Sequence, residues 1–247
     1  MAKRLGILFM YVLCAAFPAY ASATQDRAET EARVRADVTK DLEAPWQPEY
    51  PAPRTCLDGR PVADFPGAVA EYWVNLECPY CGIVEAMQAQ RQNVDVCIVV
   101  RHIPTREYGE SMKKALSYEA LKKFSINGAN VFWDKVVPKT LQALPLPYEA
   151  SLLLAFQEAL IDPDAFGDAL SKDAVHIINQ DIMASRGRIT VTPTWVLSGI
   201  RFSACDFTAA QFPVALELAK KARNGDKVAV EQAVTLITVA FMSQPLL

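Results

Sequence analysis

The chain has 247 residues, a formal net charge of −3, and 51% hydrophobic against 21% charged residues. That length suits one elaborated domain or two small ones, and the balance is ordinary for a folded globular protein. Net acidity without a basic cluster argues against nucleic acid as a partner.

Lys3 and Arg4 open the chain, Leu5 to Phe17 is nearly all apolar, and Ala21-Ser22-Ala23 has the small-x-small pattern of a signal-peptidase site. The apolar run, about 13 residues, is shorter than the roughly 20 that span a bilayer. Residues 1–23 are therefore expected to be a cleaved signal peptide. Cys56, Cys78, Cys81, Cys97 and Cys205 survive that cleavage, in a compartment where disulfides persist. Five is odd: if Cys78 pairs with Cys81, at least one other thiol is left outside any disulfide within the chain.

Residues 24–43 are charge-rich, with Ala28, Ala32, Val34, Val38 and Leu42 as a thin stripe at helical spacing. The bland reading is a solvated helix or loose arm. The sharper one is a homo-oligomer contact through residues 24–43. Pro45, Pro48, Pro51 and Pro53 then make an extended linker to residue 54, with Trp46 and Tyr50 placed to pin it. From Val69, Tyr72, Val74 and Leu76 alternate with Glu71, Trp73 and Asn75, a strand ending before Cys78. Gly82 to Gln90 is helical, and Asp95 to Ile103 is a strand buried on both faces. Residues 110–187 are all-helical: Ser111 to Phe124, a break at Asn127-Gly128, Val131 to Val137 stopped by Pro138, Tyr148 to Ile161, a turn opened by Asp162-Pro163, and Ser171 to Ser185. Ile189 to Leu197 is β-rich, and Ser198-Gly199 turns it into a hairpin with Ile200 to Ala204. A helix lies between Thr208 and Arg223, and a last one covers Lys227 to Met242. The order implies an α/β sheet domain (55–109 and 188–224) interrupted by a helical insertion (110–187) and followed by a C-terminal helix (225–247).

Cys78-Pro79-Tyr80-Cys81 sits at the strand-to-helix junction. Haem attachment requires His after the second Cys, where Gly82 stands. Structural zinc wants four ligands, and Cys56, Cys97, Cys205, His102 and His176 supply no second pair. A redox dithiol fits best. Near a helix N-terminus Cys78 is the more acidic nucleophile and Cys81 the resolving thiol, while Tyr80 shades the sulfurs or touches a partner. Far along the chain, Thr192-Pro193 interrupts a β-rich run. Proline is excluded from interior ladders, so this is an edge strand or a cis peptide; the position and the preceding Thr192 favour the latter.

The Cys-Pro-Tyr-Cys strand end, the helical insertion over 110–187 and the Thr-Pro before a closing hairpin together resemble the DsbA-like thioredoxin-fold disulfide oxidoreductases of the bacterial periplasm. The resemblance includes the copper-sensitivity-suppressor branch, and the dithiol and Thr192 are also similar to the isomerase-type DsbG branch. It covers about Thr55 to Asn224 and implies a thioredoxin fold with an inserted helical domain. It further implies Cys78 and Cys81 as catalytic residues, Thr192, cis Pro193 and Tyr80 along the substrate groove, and no metal or organic cofactor. Its implied partners are unfolded or misoxidised exported proteins and a membrane redox protein. The direction of electron flow stays open, and the alternative from another class is a non-catalytic chaperone or binding module.

Two departures stand out. The buried Glu that relatives carry six residues before the first Cys is Tyr72 here, so a bulge restores Glu71 or the relay is absent. Glu77 beside Cys78 is expected to raise the thiol's pKa if its side chain lies near the sulfur. Cys97 reads as an inert core thiol, Cys56 and Cys205 as a second disulfide, and His102 and His176 as structural residues.

Overall fold

The computed structural model describes residues 23–47, 49–104, 110–137 and 145–243. The basic and apolar start of the expected signal peptide, Pro48 and Pro138 lie outside them. A four-stranded sheet in the order β2-β1-β3-β4 forms the centre. Strands β1 (Ala68–Val74) and β2 (Val96–His102) are parallel, joined through α2 (Ile83–Gln92), while β3 (Thr194–Leu197) and β4 (Ile200–Ser203) form an antiparallel hairpin on the other side of β1. Every residue of β2 is buried, which explains its continuous apolar run. β3 is shorter than its β-rich sequence because Pro193, just before it, has no N–H to donate to a ladder.

Between β2 and β3 stand α3 (Ser111–Lys122), α4 (Ile126–Val136), α5 (Tyr148–Ala159), α6 (Pro163–Ala169) and α7 (Val175–Ser185). Asn127-Gly128 does not break the chain, contrary to expectation. The break is one turn earlier, where Ser125 caps α4 by accepting a 3.0 Å bond from the Gly128 N–H. A Cβ on Gly128 would lie 2.9 Å from the Ala159 Cβ, so the glycine serves close approach of α4 to α5. A π-helical segment, Leu170–Ala174, runs α6 into α7.

The insertion is tied to the sheet by buried charge. Asp181 of α7 accepts from Arg54 at 2.5 Å and from Arg101 of β2, and Arg101 also reaches Glu71 of β1 at 2.8 Å. Removing one member of such a network costs about 3–5 kcal/mol, because it strands a buried charge. Trp46 of the linker meets Trp73 edge-on at 5.4 Å. The Trp46 backbone N–H bonds the Gly199 carbonyl at 3.1 Å, at a turn where Gly199 has φ +82° and any Cβ would press on Pro45.

Helix α1 (Ala23–Glu43) lies along α9 (Lys227–Ser243), the helix that follows α8 (Phe212–Arg223). Val34 and Val38 are buried in the main core, Arg35 pairs with Glu231, and Asp41 accepts from Arg201 of β4. Two buried valines stabilise this docking by about 1.5–3 kcal/mol each, whereas the solvent-exposed Arg35–Glu231 pair, screened by water, adds little. Residues of the stripe that the sequence reading gave to a second copy thus face their own chain.

The cysteine pairing differs from expectation. Cys56 is bonded to Cys97, with Cα atoms 5.1 Å apart, and both are fully buried. The Leu57 N–H on the Ile98 carbonyl, 2.9 Å, lays this segment beside β2. Cys205 follows β4, at the opposite edge of the sheet, so three strand spacings separate it from Cys97. Cys97 is therefore not an inert thiol, and Cys56 does not reach Cys205. Among the described residues no helix is long and apolar enough to cross a membrane.

Candidate active site

β1 ends at Val74, and the chain turns through Asn75 to Gly82 before α2 begins. The Cys78 N–H bonds the Asn75 carbonyl at 2.9 Å, and the Cys81 N–H bonds the Cys78 carbonyl at 3.1 Å, closing a tight turn around Pro79 and Tyr80. Cys78 is half-buried and Cys81 fully buried beneath it. From the insertion, the Trp133 indole N–H donates to the Cys81 carbonyl at 3.0 Å. Tyr80 is half-buried at the rim.

The Thr192–Pro193 peptide is cis. Pro193 is buried, Thr192 is half-exposed, and the Thr192 carbonyl stands 3.4 Å from the Cys78 sulfur, accepting from the thiol. The fold thus brings Cys78, Cys81, Thr192 and Pro193 together from positions more than a hundred residues apart.

The two thiols are chemically unlike. Cys78 is lowered to about 7 from the ordinary 9.0: first by a hydrogen bond from Cys81, against burial, then by the Tyr80 amide, Thr192 and the Cys81 amide. Burial first, and then the neighbouring Cys78, push Cys81 well above its ordinary value. The amides facing Cys78 belong to its own turn. α2 starts only at Ile83, capped by Gly82, so the local turn supplies the stabilisation that the sequence reading gave to the helix end. The Glu77 carboxylate, which the sequence reading set against the thiolate, is paired with Lys114.

No family model matches the sequence, and no curated protein does. Among solved structures, a linker-deletion mutant of ScsC from Proteus mirabilis matches with a TM-score of 0.53 at 16% identity, over 89% of this chain and 95% of that one. The chain shares the fold of that ScsC structure. The catalytic domain of Proteus mirabilis ScsC gives 0.49 at 15% identity, over 81% and 98% of the two chains. The thiol-disulfide exchange protein alpha-DsbA2 from Wolbachia pipientis gives 0.43 at 14%, over 83% and 100%.

Within this fold the carboxylates near the dithiol are placed as follows. The β1–β2 register runs without a bulge from Ala68 to Val74. Glu71 therefore stays on the face away from the dithiol, held by the Trp73 indole at 2.9 Å and by Arg101. Tyr72 occupies the dithiol face, stacked between Trp195 at 4.2 Å and Trp133 at 6.3 Å. Its hydroxyl lies 3.2 Å from the Gly82 carbonyl and 3.4 Å from the Asp206 carboxylate, in the loop after β4.

The sequence reading did not single out Asp206. The residue is exposed along its outer side, yet its carboxyl loses water against the site. That loss raises it, the Tyr72 hydroxyl lowers it, and the negative charges of Cys78 and Glu85 raise it further, to about 7. An acidic residue straight after Cys205 carried no signal beyond an ordinary polar loop; only the hairpin's return to β1 sets it beside Tyr72. Among the described residues no group of three His, Cys, Asp or Glu side chains is placed to hold a metal.

Proposed function

We propose that this chain is an exported thiol:disulfide oxidoreductase acting on cysteines of other exported proteins, through Cys78 as attacking sulfur and Cys81 as resolving sulfur. The observation that carries this reading is the split of the pair: a half-buried, acidic Cys78 against a polypeptide carbonyl, with a buried, protonated Cys81 beneath it.

In the reducing direction, the Cys78 thiolate attacks a substrate disulfide, forming a mixed disulfide and releasing one substrate thiolate, which takes a proton. Cys81 then loses its proton and attacks the Cys78 sulfur. The Cys78–Cys81 disulfide forms, and the second substrate sulfur leaves as a thiolate. Two electrons pass from the dithiol to the substrate; a membrane redox protein restores them. Oxidation of a substrate dithiol is the same sequence reversed.

Thr192 presents a carbonyl and Pro193 a buried surface along which an extended substrate lies, with Tyr80 at its edge. A first cysteine lowered only to about 7 is nearer to thioredoxin-like dithiols than to strong oxidants, whose first cysteine is near about 3.5, and this favours a reductase or isomerase over a disulfide donor. Equilibration of the pair with glutathione tests it. A potential at or below roughly −180 mV is expected; one near about −120 mV would make the chain a disulfide donor. No glutathione-dependent transition would sink the redox reading altogether.

A further inference from the structure

Glu77 immediately precedes the reactive cysteine, where a free carboxylate would oppose its thiolate. The structure answers this charge from the insertion. Lys114, in the first turn of α3, is almost fully buried, and among the described residues its ammonium meets the Glu77 carboxylate and, at 3.2 Å, the Val136 carbonyl. An ammonium this enclosed is tolerated only when paired.

One helical step before it, at i−3 on the same face, the Ser111 hydroxyl donates at 2.8 Å to the Asn75 side-chain oxygen, which also accepts from the Glu77 N–H at 2.9 Å. The Asn75 carbonyl in turn holds the Cys78 N–H. The start of α3 and the loop before the dithiol therefore form one polar joint, with Lys114 as its charge.

We infer that Lys114 is a positioning residue for Cys78: it neutralises Glu77 and so keeps the reactive thiol ionisable near neutral pH. The inference builds on the redox reading of the dithiol, but the acid–base property it predicts does not require turnover. The other groups facing Cys78 are Cys81 below, the Thr192 carbonyl, the Tyr80 and Cys81 amides, Tyr72 of β1, and Asp206 with Glu85 behind it. None of these groups carries a positive charge; among the described residues Lys114 is the cation that meets the Glu77 carboxylate.

The test is the rate of Cys78 alkylation by iodoacetamide against pH, on the reduced full chain, in K114M, E77Q, the E77Q/K114M double variant and K114R. Cys81 stays protonated throughout. Below the midpoint K114M is expected to react about tenfold more slowly, E77Q about two- to threefold faster, and K114R and the double variant within about twofold of the parent. An unchanged rate in K114M overturns the inference. So does a double variant as slow as K114M, which would mean that the joint acts through packing rather than charge. If K114M does not fold, E77Q decides: a faster rate supports the inference, and an unchanged or slower rate overturns it. A parent chain with no glutathione transition defeats the redox reading while the alkylation profile still decides this one.

Discussion

Two cysteine pairs flank the β1–β2 half of one sheet and do opposite things. Cys56–Cys97 spans 41 residues, is wholly buried, and is packed among Tyr50, Val62, Phe65, Val69 and Val99. Cys78 and Cys81 are three residues apart, one half-open to solvent, and are surrounded by amides, a carbonyl and titratable groups. Closing the long loop stabilises the fold by about 4 kcal/mol in the chain-entropy model, and closing the short one by only about 2 kcal/mol. The long bridge also offers no path to an attacking thiolate. Loop length and access, rather than the sulfur itself, separate a staple from a reagent.

The largest effect on this contrast is expected from Cys78→Ser, which should drop disulfide exchange to the uncatalysed background. Cys81→Ser should instead accumulate a mixed disulfide with substrate, visible on non-reducing gels. Either variant exchanging at the parent rate would erase the distinction.

Replacing both Cys56 and Cys97 by Ala should cost about 2–5 kcal/mol in urea unfolding. The glutathione equilibrium of Cys78–Cys81 should not move. A shifted potential would show that the staple and the reagent are coupled.

The pH dependence separates the pairs next. The folded value of Cys78, about 7, is below its ordinary 9.0. Its thiolate therefore stabilises the reduced fold fully above about pH 9, and that contribution, about 2–3 kcal/mol in the limit, is lost as pH falls through about 7. Thermal unfolding of the reduced chain should show this slope, and Cys78→Ser should flatten it. The Cys56–Cys97 disulfide does not titrate and contributes nothing to it.

A smaller effect is expected from D206N. Asp206 and Cys78 both change charge near pH 7 and oppose each other, so their protons come off as a coupled system. Removing the carboxylate should leave about two- to fivefold more thiolate near pH 6.5 and a steeper Cys78 titration by alkylation. An unchanged curve would mean that Asp206 is screened from the sulfur.

Local sequence carried much of the architecture. Alternation along Val69 to Leu76, the apolar run of β2, Ser198-Gly199 and the Asp162-Pro163 cap each fix backbone geometry within a few residues, and the order of elements follows. It also named the cysteines and the Thr-Pro that the sheet brings to one place, because proline and paired cysteines are unusual where they stand. The finer choices were not local. The Asn127-Gly128 break failed because Ser125 offered a better cap, and periodicity cannot weigh one cap against another.

By itself the sequence determined the strand and helix periods, the thioredoxin-type order around a helical insertion, and the positions of a dithiol and its proline. Tertiary structure decided which cysteine Cys97 meets, that Val34 and Val38 are buried within their own chain, and that Lys114 meets Glu77 and Asp206 meets Tyr72 beside the dithiol. Those contacts join residues separated by 37 to more than 130 positions. They depend on which strand lies at which edge of the sheet, and no periodicity in the chain encodes that.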